Sequence, residues 1–521
     1  MKKIPHLKFI FSTTILLLIL IVSFSVRVNL LDYPFENGEA HRDYLVSHNI
    51  AKYNEVALIG PNNDVFNTKN SSAYYYFLSL FLLIEDNIIF LGYVNVLLQI
   101  VNILIVFILA QKMFGFSTAL FSAFFFGFSG TALRQSLYAW QPYIMQPFVN
   151  LAYLLLLLSF IYKKFPLTLL AAATLLFAGA LYQSAYSVVP GFIAVAFIML
   201  RAQGSKINKF ALALVLLLVI YYTYLILNLN TFRYLQNSGV DILAAVTKKF
   251  ISSPNEFINN LLTNTSLLAD TIFSGIQDDL IKTKLVIILA LGSVYYTFYR
   301  KDIRRIYVTT IFLAIMTSLV FASLLDTKMF DMRFTQIYAL FVILSFAAVT
   351  SITEKVVKNR VGKIICLVLL LIACRAILVE DYLINEKISS NLETINFSTE
   401  AIKKEVLNIK TEKSYENVNF FQIAVIKVGY TSKVNEPLIF WTALEESFDT
   451  KFTAVSDISG NNLKLINNDD YIFLICNSNF GFLEDEDCKK EFLASKQTFS
   501  VLENIYQQYP LSIYLTKKSN N

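Results

Sequence analysis

Apolar runs long enough to cross a bilayer recur along the first three-quarters of the chain. A helical span needs about 20 mostly apolar residues. The pattern predicts eleven, at roughly 8–27, 88–111, 116–132, 143–162, 165–183, 186–200, 210–228, 283–299, 306–324, 335–352 and 362–380. A tight turn near Gln183-Ser184-Ala185 is all that parts the fifth and sixth. Two long connections interrupt the series, 28–87 and 229–282. Inside the first, Ser71–Ile84 (SSAYYYFLSLFLLI) is apolar but too short to cross. Its three consecutive tyrosines suit a membrane–water boundary, so it predicts an interfacial helix. Glu39–Tyr53 predicts a second short helix. From about residue 385 the pattern changes. Ser398–Lys410 predicts a helix with Ser398 as N-cap. Val418–Val428, Leu438–Ala443, Tyr471–Cys476 and Leu511–Leu515 are β-rich runs of strand length. The expected fold class is mostly α: a polytopic membrane helical bundle of about 11 transmembrane helices over 1–384, followed by a small soluble α/β domain over 385–521. No repeat of fixed period is visible.

Charge orients this scheme. Of the 44 Lys+Arg and 38 Asp+Glu, residues 1–380 hold 30 and 18, a net +12, and residues 381–521 hold 14 and 20, a net −6. Lys2, Lys3, Lys8, Lys112, Lys163, Lys164, Arg201, Lys206, Lys209, Arg300, Lys301, Arg304, Arg305, Lys355, Lys358, Arg360 and Lys363 all fall at one set of span ends. The positive-inside rule makes those ends cytoplasmic. An odd number of spans then places the acidic domain outside the plasma membrane. The first apolar run is read as a retained span, because no small-x-small cleavage site follows it. Hydrophobic residues at 56% and charged residues at 16% exclude a disordered chain and an ordinary soluble enzyme. Nucleic acid is a poor partner for basic residues scattered between apolar runs. Of the 4 Cys, Cys366 and Cys374 lie in an apolar run, whereas Cys476 and Cys488 flank an acidic loop and are expected to pair outside the cell.

The densest polar cluster follows the first span directly: Glu36-Asn37-Gly38-Glu39-Ala40-His41-Arg42-Asp43-Tyr44. On a helix Glu39, Arg42 and Asp43 share a face. The bland reading is a solvated helix start, its acids favoured by the helix dipole. Its place beside an interfacial helix favours a functional one.

Further along stand Leu58-Ile-Gly-Pro61, then Asn67-Thr-Lys-Asn-Ser-Ser-Ala-Tyr-Tyr-Tyr76. Lys112-Met-Phe-Gly115 closes the second span, Trp140-Gln-Pro142 precedes the fourth and Arg333-Phe334 the tenth. In this order, over roughly residues 8–380, the chain resembles the GT-C superfamily of polyprenyl-phosphate-sugar-dependent glycosyltransferases. The likeness is to the branch of protein O-mannosyltransferases and lipid A aminoarabinose transferases. The resemblance implies an undecaprenyl- or dolichyl-phosphate sugar donor, a glycan, lipid or protein acceptor on the outer face, and transfer with inversion. It maps the family's catalytic acid onto Glu39, with Asp43 as rival because Ala40 stands where many relatives carry a second acid. It maps the family's arginine onto Arg42. Lys69 and Arg333 become candidate phosphate partners. For Arg333 the plain alternative is an interfacial anchor. For Tyr74–Tyr76 an interfacial belt comes first and donor contact, through Tyr75, second. No cofactor is implied with certainty. Some distant members use a divalent cation, which Glu39 and Asp43 would ligate through oxygen.

Three other functions compete. A transporter or flippase would carry polar groups at mid-membrane in broken, repeated helices, and here the main cluster lies in an outside loop. A cell-surface polysaccharide polymerase or ligase would place key residues in a later outside loop, where 229–282 offers Arg233, Asp241 and Asp278-Asp279. A non-catalytic scaffold would merely present the C-terminal domain.

Overall fold

The structure is a computed structural model that describes residues 5–29, 31, 38–58, 60, 62–63, 68–69, 71–136, 139–202, 254–272, 304–324 and 335–356, and five strands beyond residue 419. The chain divides into two compact units. One comprises Met1–Leu31, Asn54–Phe81 and Leu91–Tyr382; the other comprises Asp32–Tyr53, Leu82–Phe90 and Leu383–Asn521.

In chain order, α1 (Pro5–Asn29) and α2 (Gly38–Tyr53) precede a two-residue ladder of β1 (Asn62–Asn63) and β2 (Thr68–Lys69). Next come α3 (Ala73–Leu82), α4 (Ile88–Phe114), α5 (Phe116–Phe128), α6 (Gly130–Arg134), α7 (Gln141–Tyr162) and α8 (Phe165–Leu181). A 3₁₀ turn at Gln183–Val188 leads to α9 (Val189–Ala202), followed by α10 (Pro254–Ile272), α11 (Arg304–Leu324) and α12 (Thr335–Val356). Among the described residues α4 and α7 are long and apolar enough to cross a membrane by themselves, and shorter apolar helices include Thr13–Asn29, Phe116–Phe128 and Phe165–Leu181. The expected spans at 210–228, 283–299 and 362–380, the helix at 398–410, the strand at 438–443 and Cys488 lie outside the described residues.

Local chemistry sets the helix ends. Gly115 lies at φ 99° between α4 and α5, a backbone that L side chains rarely adopt, so it allows the sharp reversal after Lys112-Met-Phe. Pro142 occupies the first turn of α7, where its missing N–H is not needed. Two expectations need correction. The run 116–132 is not one helix. Ser129 is extended, and its hydroxyl accepts from the Ala132 amide as the N-cap of α6, so the helix stops at Phe128. The connection 229–282 also contains α10, which buries Asn264 against Ser323 of α11 (3.1 Å) and exposes Ile258 and Leu262.

The first unit is tied together by buried polar groups as well as apolar packing. Asn95, Gln99 and Asn102 of α4 recur at i, i+4 and i+7, which is one helix face. Pro147 inside α7 has no N–H to give to the carbonyl of Tyr143, four residues back. Gln99 Nε2 donates to that carbonyl instead, at 2.9 Å. Asn102 Nδ2 donates to Gln99 Oε1 and Gln146 Oε1, and Asn150 Nδ2 donates to Asn102 Oδ1 at 2.8 Å. Gln146 Nε2 then reaches the Thr335 carbonyl at the start of α12 (2.8 Å). The ladder therefore joins α4, α7 and α12, in the way polar side chains join helices where lipid offers no hydrogen bonds. The α5–α12 contact runs from Thr118–Thr350 (2.8 Å) at one end to Ser129–Tyr338 (2.9 Å) at the other, with Phe121 stacked on Phe346 between them. The two helices are thus antiparallel. On α3, Phe77 docks into an aromatic cluster with Phe148 of α7 and Phe177 of α8.

Helix α9 meets α11 at Gly191. A Cβ there would collide with Thr317 Oγ1 and stand 2.9 Å from Ala314 Cα. Gly191→Val is expected to push the helices apart and cost about 1–3 kcal/mol. A lowered thermal midpoint in detergent, followed by tryptophan fluorescence, checks this; an unchanged midpoint would show that the contact yields.

The second unit contains a five-stranded mixed sheet ordered β4-β3-β5-β7-β6, from β3 (Phe420–Ala424), β4 (Phe452–Val455), β5 (Tyr471–Asn477), β6 (Phe499–Gln508) and β7 (Leu511–Lys518). β3 pairs parallel with both β4 and β5, which requires crossover connections. β5–β7 and β7–β6 are antiparallel, from Cys476↔Ser512 at one point to Gln508↔Leu511 at another.

Candidate functional site

The polar cluster after α1 folds as α2. Ala40, Asp43, Tyr44, Ser47 and His48 are all buried. Their spacing of i, i+3, i+4, i+7 and i+8 is a single helix face. Asp43, Ser47 and His48 are polar, beside Ala40 and the Tyr44 ring, and each buried polar group needs a partner. Asp43 finds one in the adjacent Arg42, whose Nε and Nη2 both donate to Asp43 Oδ1 at 2.9 and 2.8 Å. The Asp43 side chain is 0% exposed and that of Arg42 29%. The pair therefore puts a fixed cation at the surface, backed by a buried anion. Ser47 Oγ donates to the Asp43 carbonyl at 2.6 Å.

The other end of the same face is held by a residue far along the chain. Asp86, in the α3–α4 connection, accepts on Oδ1 from Tyr44 Oη (3.1 Å) and pairs there with His48 Nδ1 (2.7 Å). The His48 ring lies 5.7 Å from the rings of Tyr44 and Tyr53, edge-on to the latter. Partial burial pushes the Asp86 carboxyl up. The His48 and Tyr44 hydrogen bonds and the charges of His48 and Lys52 outweigh that and hold it below the ordinary carboxylate value.

A lowered native pKa means that the stabilisation is complete above the unfolded-state value of about 3.9 and is lost as pH falls through the native value. The thermal midpoint of the protein should therefore exceed that of Asp86→Asn at pH 7. The gap should close as pH drops below about 4. A gap that stays constant down to the most acid pH tolerated would deny the carboxylate this role.

Of the residues singled out by sequence, Arg42 and Asp43 are brought together. Glu39 lies one helical turn before Asp43 on the same helix, and its side chain lies outside the described residues. Lys69 is placed in β2 by its backbone, paired with Asn62. Tyr75 is buried, as is Tyr74, while Tyr76 is exposed, so among these three the boundary position belongs to Tyr76. Arg333 lies outside the described residues. Among the described residues no group of three His, Cys, Asp or Glu side chains could hold a metal ion. Of the two oxygen donors considered for a cation, Asp43 is already engaged by Arg42. Tyr44, His48 and Asp86 were not foreseen. A signal for the first two existed: polar residues recur at helical spacing through 43, 44, 47 and 48.

Solved structures resemble this chain over most of its length. ArnT from Cupriavidus metallidurans bound to undecaprenyl phosphate aligns over 96% of this chain and 97% of its own, with a TM-score of 0.57 and 10% identity. Its apo state aligns over 97% and 98%, with a TM-score of 0.54 and 11% identity. The chain has the GT-C fold. The oligosaccharyltransferase of Archaeoglobus fulgidus in its apo form is a further neighbour, at TM-score 0.53 and 12% identity over 91% of this chain and 70% of that one. No family model and no curated protein matches by sequence. At such identities the likeness is one of fold, and roles for individual residues rest on the loop itself.

Proposed function

We infer that the chain is a polyprenyl-phosphate-sugar-dependent glycosyltransferase of the plasma membrane. It moves a sugar from a lipid-phosphate donor to a glycan, lipid or protein acceptor on the outer face. The observation that carries this reading is α2, which follows α1 in a GT-C fold and fixes the Arg42 guanidinium on a buried Asp43. Transfer with inversion needs two things from such a helix. A base must take the acceptor hydroxyl proton as the oxygen attacks the anomeric carbon. A cation must meet the negative charge that gathers on the lipid phosphate as its bond to that carbon breaks. Glu39 is assigned the proton. Arg42, with Lys69 and Arg333, is assigned the phosphate, and Tyr75 a contact to the donor. Asp43 holds Arg42 in place. The proposed topology is eleven spans over 1–384 with the N-terminus in the cytoplasm and 385–521 outside.

The test is to incubate the purified full-length protein with a panel of polyprenyl-phosphate sugars and envelope-derived acceptors, and to measure released lipid phosphate. Acceptor-dependent release from one member supports the reading. Absence of release from every member overturns it.

A further inference from the structure

We propose that Asp86 is a positioning residue for the transfer: with Tyr44 and His48 it forms a clamp that fixes the rotation of α2 about its own axis. This rests on the glycosyltransferase reading above and extends it to three residues that no motif marks. α2 is a short helix whose buried face carries Asp43, Ser47 and His48 beside Ala40 and the Tyr44 ring, so its orientation depends on polar partners as well as on packing. Tyr44 and His48 stand one turn apart on that face, and both engage the same oxygen of Asp86. Two donors from one helix onto one acceptor define an angle as well as a distance.

The mount is rigid. Asp86 lies next to Asn87, whose Oδ1 caps the first turn of α4 by accepting from the Ile89 amide (2.6 Å) and the Phe90 amide (3.3 Å). The Asn87 amide in turn donates to the Glu85 carbonyl at 3.1 Å. α2 is therefore keyed to the capped start of α4. The exposures fit a strut better than a reacting group: His48 is 1% exposed and Asp86 36%, so the imidazole is inside and the carboxylate is on the rim. Lys52 and Tyr53 flank the clamp: the Lys52 charge acts on Asp86, the Tyr53 ring meets His48 edge-on, and the Lys52 Nζ lies 6.0 Å from the Tyr53 ring.

The consequence for chemistry follows from geometry. With side chains a helix is about 10 Å across. A 30° rotation thus moves a side-chain tip by roughly 3 Å, and a misplacement of about 1 Å can cost 100-fold in rate. Glu39 and Arg42 ride on the same helix and would turn with it.

The experiment uses the full-length protein in detergent and has two arms. Hydrogen–deuterium exchange is followed on peptides covering α2 and, as a control, α7. Asp86→Ala should raise exchange in α2 at least tenfold and leave α7 unchanged. His48→Phe should do the same, whereas His48→Asn, which keeps a donor near the Nδ1 position, should restore protection. Tyr44→Phe, which deletes one bond and little else, covers the case in which Asp86→Ala does not fold. The second arm measures transfer with whichever panel donor the wild type uses. Turnover should fall 10- to 100-fold in Asp86→Ala and His48→Phe, with KM for the donor rising as Arg42 turns with the helix, and both should recover in His48→Asn. Unchanged α2 exchange in Asp86→Ala, His48→Phe and Tyr44→Phe overturns the clamp. A loosened α2 with normal turnover overturns its bearing on the reaction. A wild type that transfers no sugar overturns the glycosyltransferase reading, and with it the bearing on transfer, while the exchange arm still decides the clamp.

Discussion

Glu39→Gln is expected to lower sugar transfer by about 10²–10⁴-fold while the protein still binds its polyprenyl-phosphate donor. The substitution keeps the shape of the side chain and removes its basicity. An acceptor hydroxyl is a poor nucleophile, and a positioned base contributes roughly that factor. Of the two acids that compete for the role, Asp43 is already paired. Asp43 has no exposed surface, and Arg42 donates twice to one of its oxygens. A carboxylate so placed cannot meet an incoming hydroxyl without first releasing Arg42. Glu39 sits one turn earlier, beside the Gly38 that starts the helix. Asp43→Asn is therefore expected to act through Arg42: donor affinity should fall along with turnover, because the guanidinium loses its anchor. Comparing the kcat and KM of the two variants checks the assignment. Near-normal turnover in Glu39→Gln beside a dead Asp43→Asn would exchange the roles, and normal turnover in both would remove α2 from the mechanism.

The helical unit was legible wherever apolar periodicity and a span-length rule suffice. The 88–111 and 143–162 runs became α4 and α7, and in the other unit Glu39–Tyr53 became α2 with its start moved by one residue. What apolarity cannot show is a break inside an apolar run. The stop at Phe128 depends on Ser129 turning its hydroxyl back to an amide and on Tyr338, more than 200 positions away, meeting that hydroxyl. In the C-terminal unit β5 and β7 were visible as β-rich runs. β6 was missed because its ladder shifts register between Val501 and Glu503 and again between Asn504 and Tyr506, so the alternation of inward and outward residues is broken twice. The site was half legible. Local spacing singled out Arg42 and Asp43, which the structure pairs. Asp86 carries no local signature, since its role exists only when the α3–α4 connection meets α2. The ladder of Asn95, Gln99, Asn102, Gln146 and Asn150 was readable in principle: three amides at i, i+4 and i+7 on one span face a second span whose Pro147 leaves a carbonyl without a donor.

Replacing Arg27 with Met is expected to destabilise the first unit strongly, by about 1–3 kcal/mol for each buried carbonyl left without a donor. Arg27 lies in the last turn of α1 and is fully buried. Its partners are not carboxylates. Nη1 donates to the Gly127 carbonyl at 2.5 Å and to Ser23 Oγ, and Nη2 reaches the carbonyls of Phe126 at 3.3 Å and Ala132 at 3.4 Å. Phe126 and Gly127 are among the last residues of α5, whose terminal carbonyls have no intrahelical donors and carry the negative end of the helix dipole. The guanidinium thus closes the α5–α6 break that Ser129 opens, and it ties α1 to both sides of that break. In a bilayer each carbonyl left bare costs several kcal/mol. The Gly127 carbonyl would keep only the bond from Ser23 Oγ (3.0 Å). Arg27→Lys should be milder, since an ammonium keeps the charge but cannot span three carbonyls as a planar fork does. Thermal unfolding in detergent, followed by the fluorescence of buried Trp140 in the first unit, should rank wild type above Arg27→Lys and Arg27→Lys above Arg27→Met. Equal midpoints for all three would mean that water or lipid headgroups replace the guanidinium, and that the α5–α6 break is held by Ser129 and Tyr338 alone.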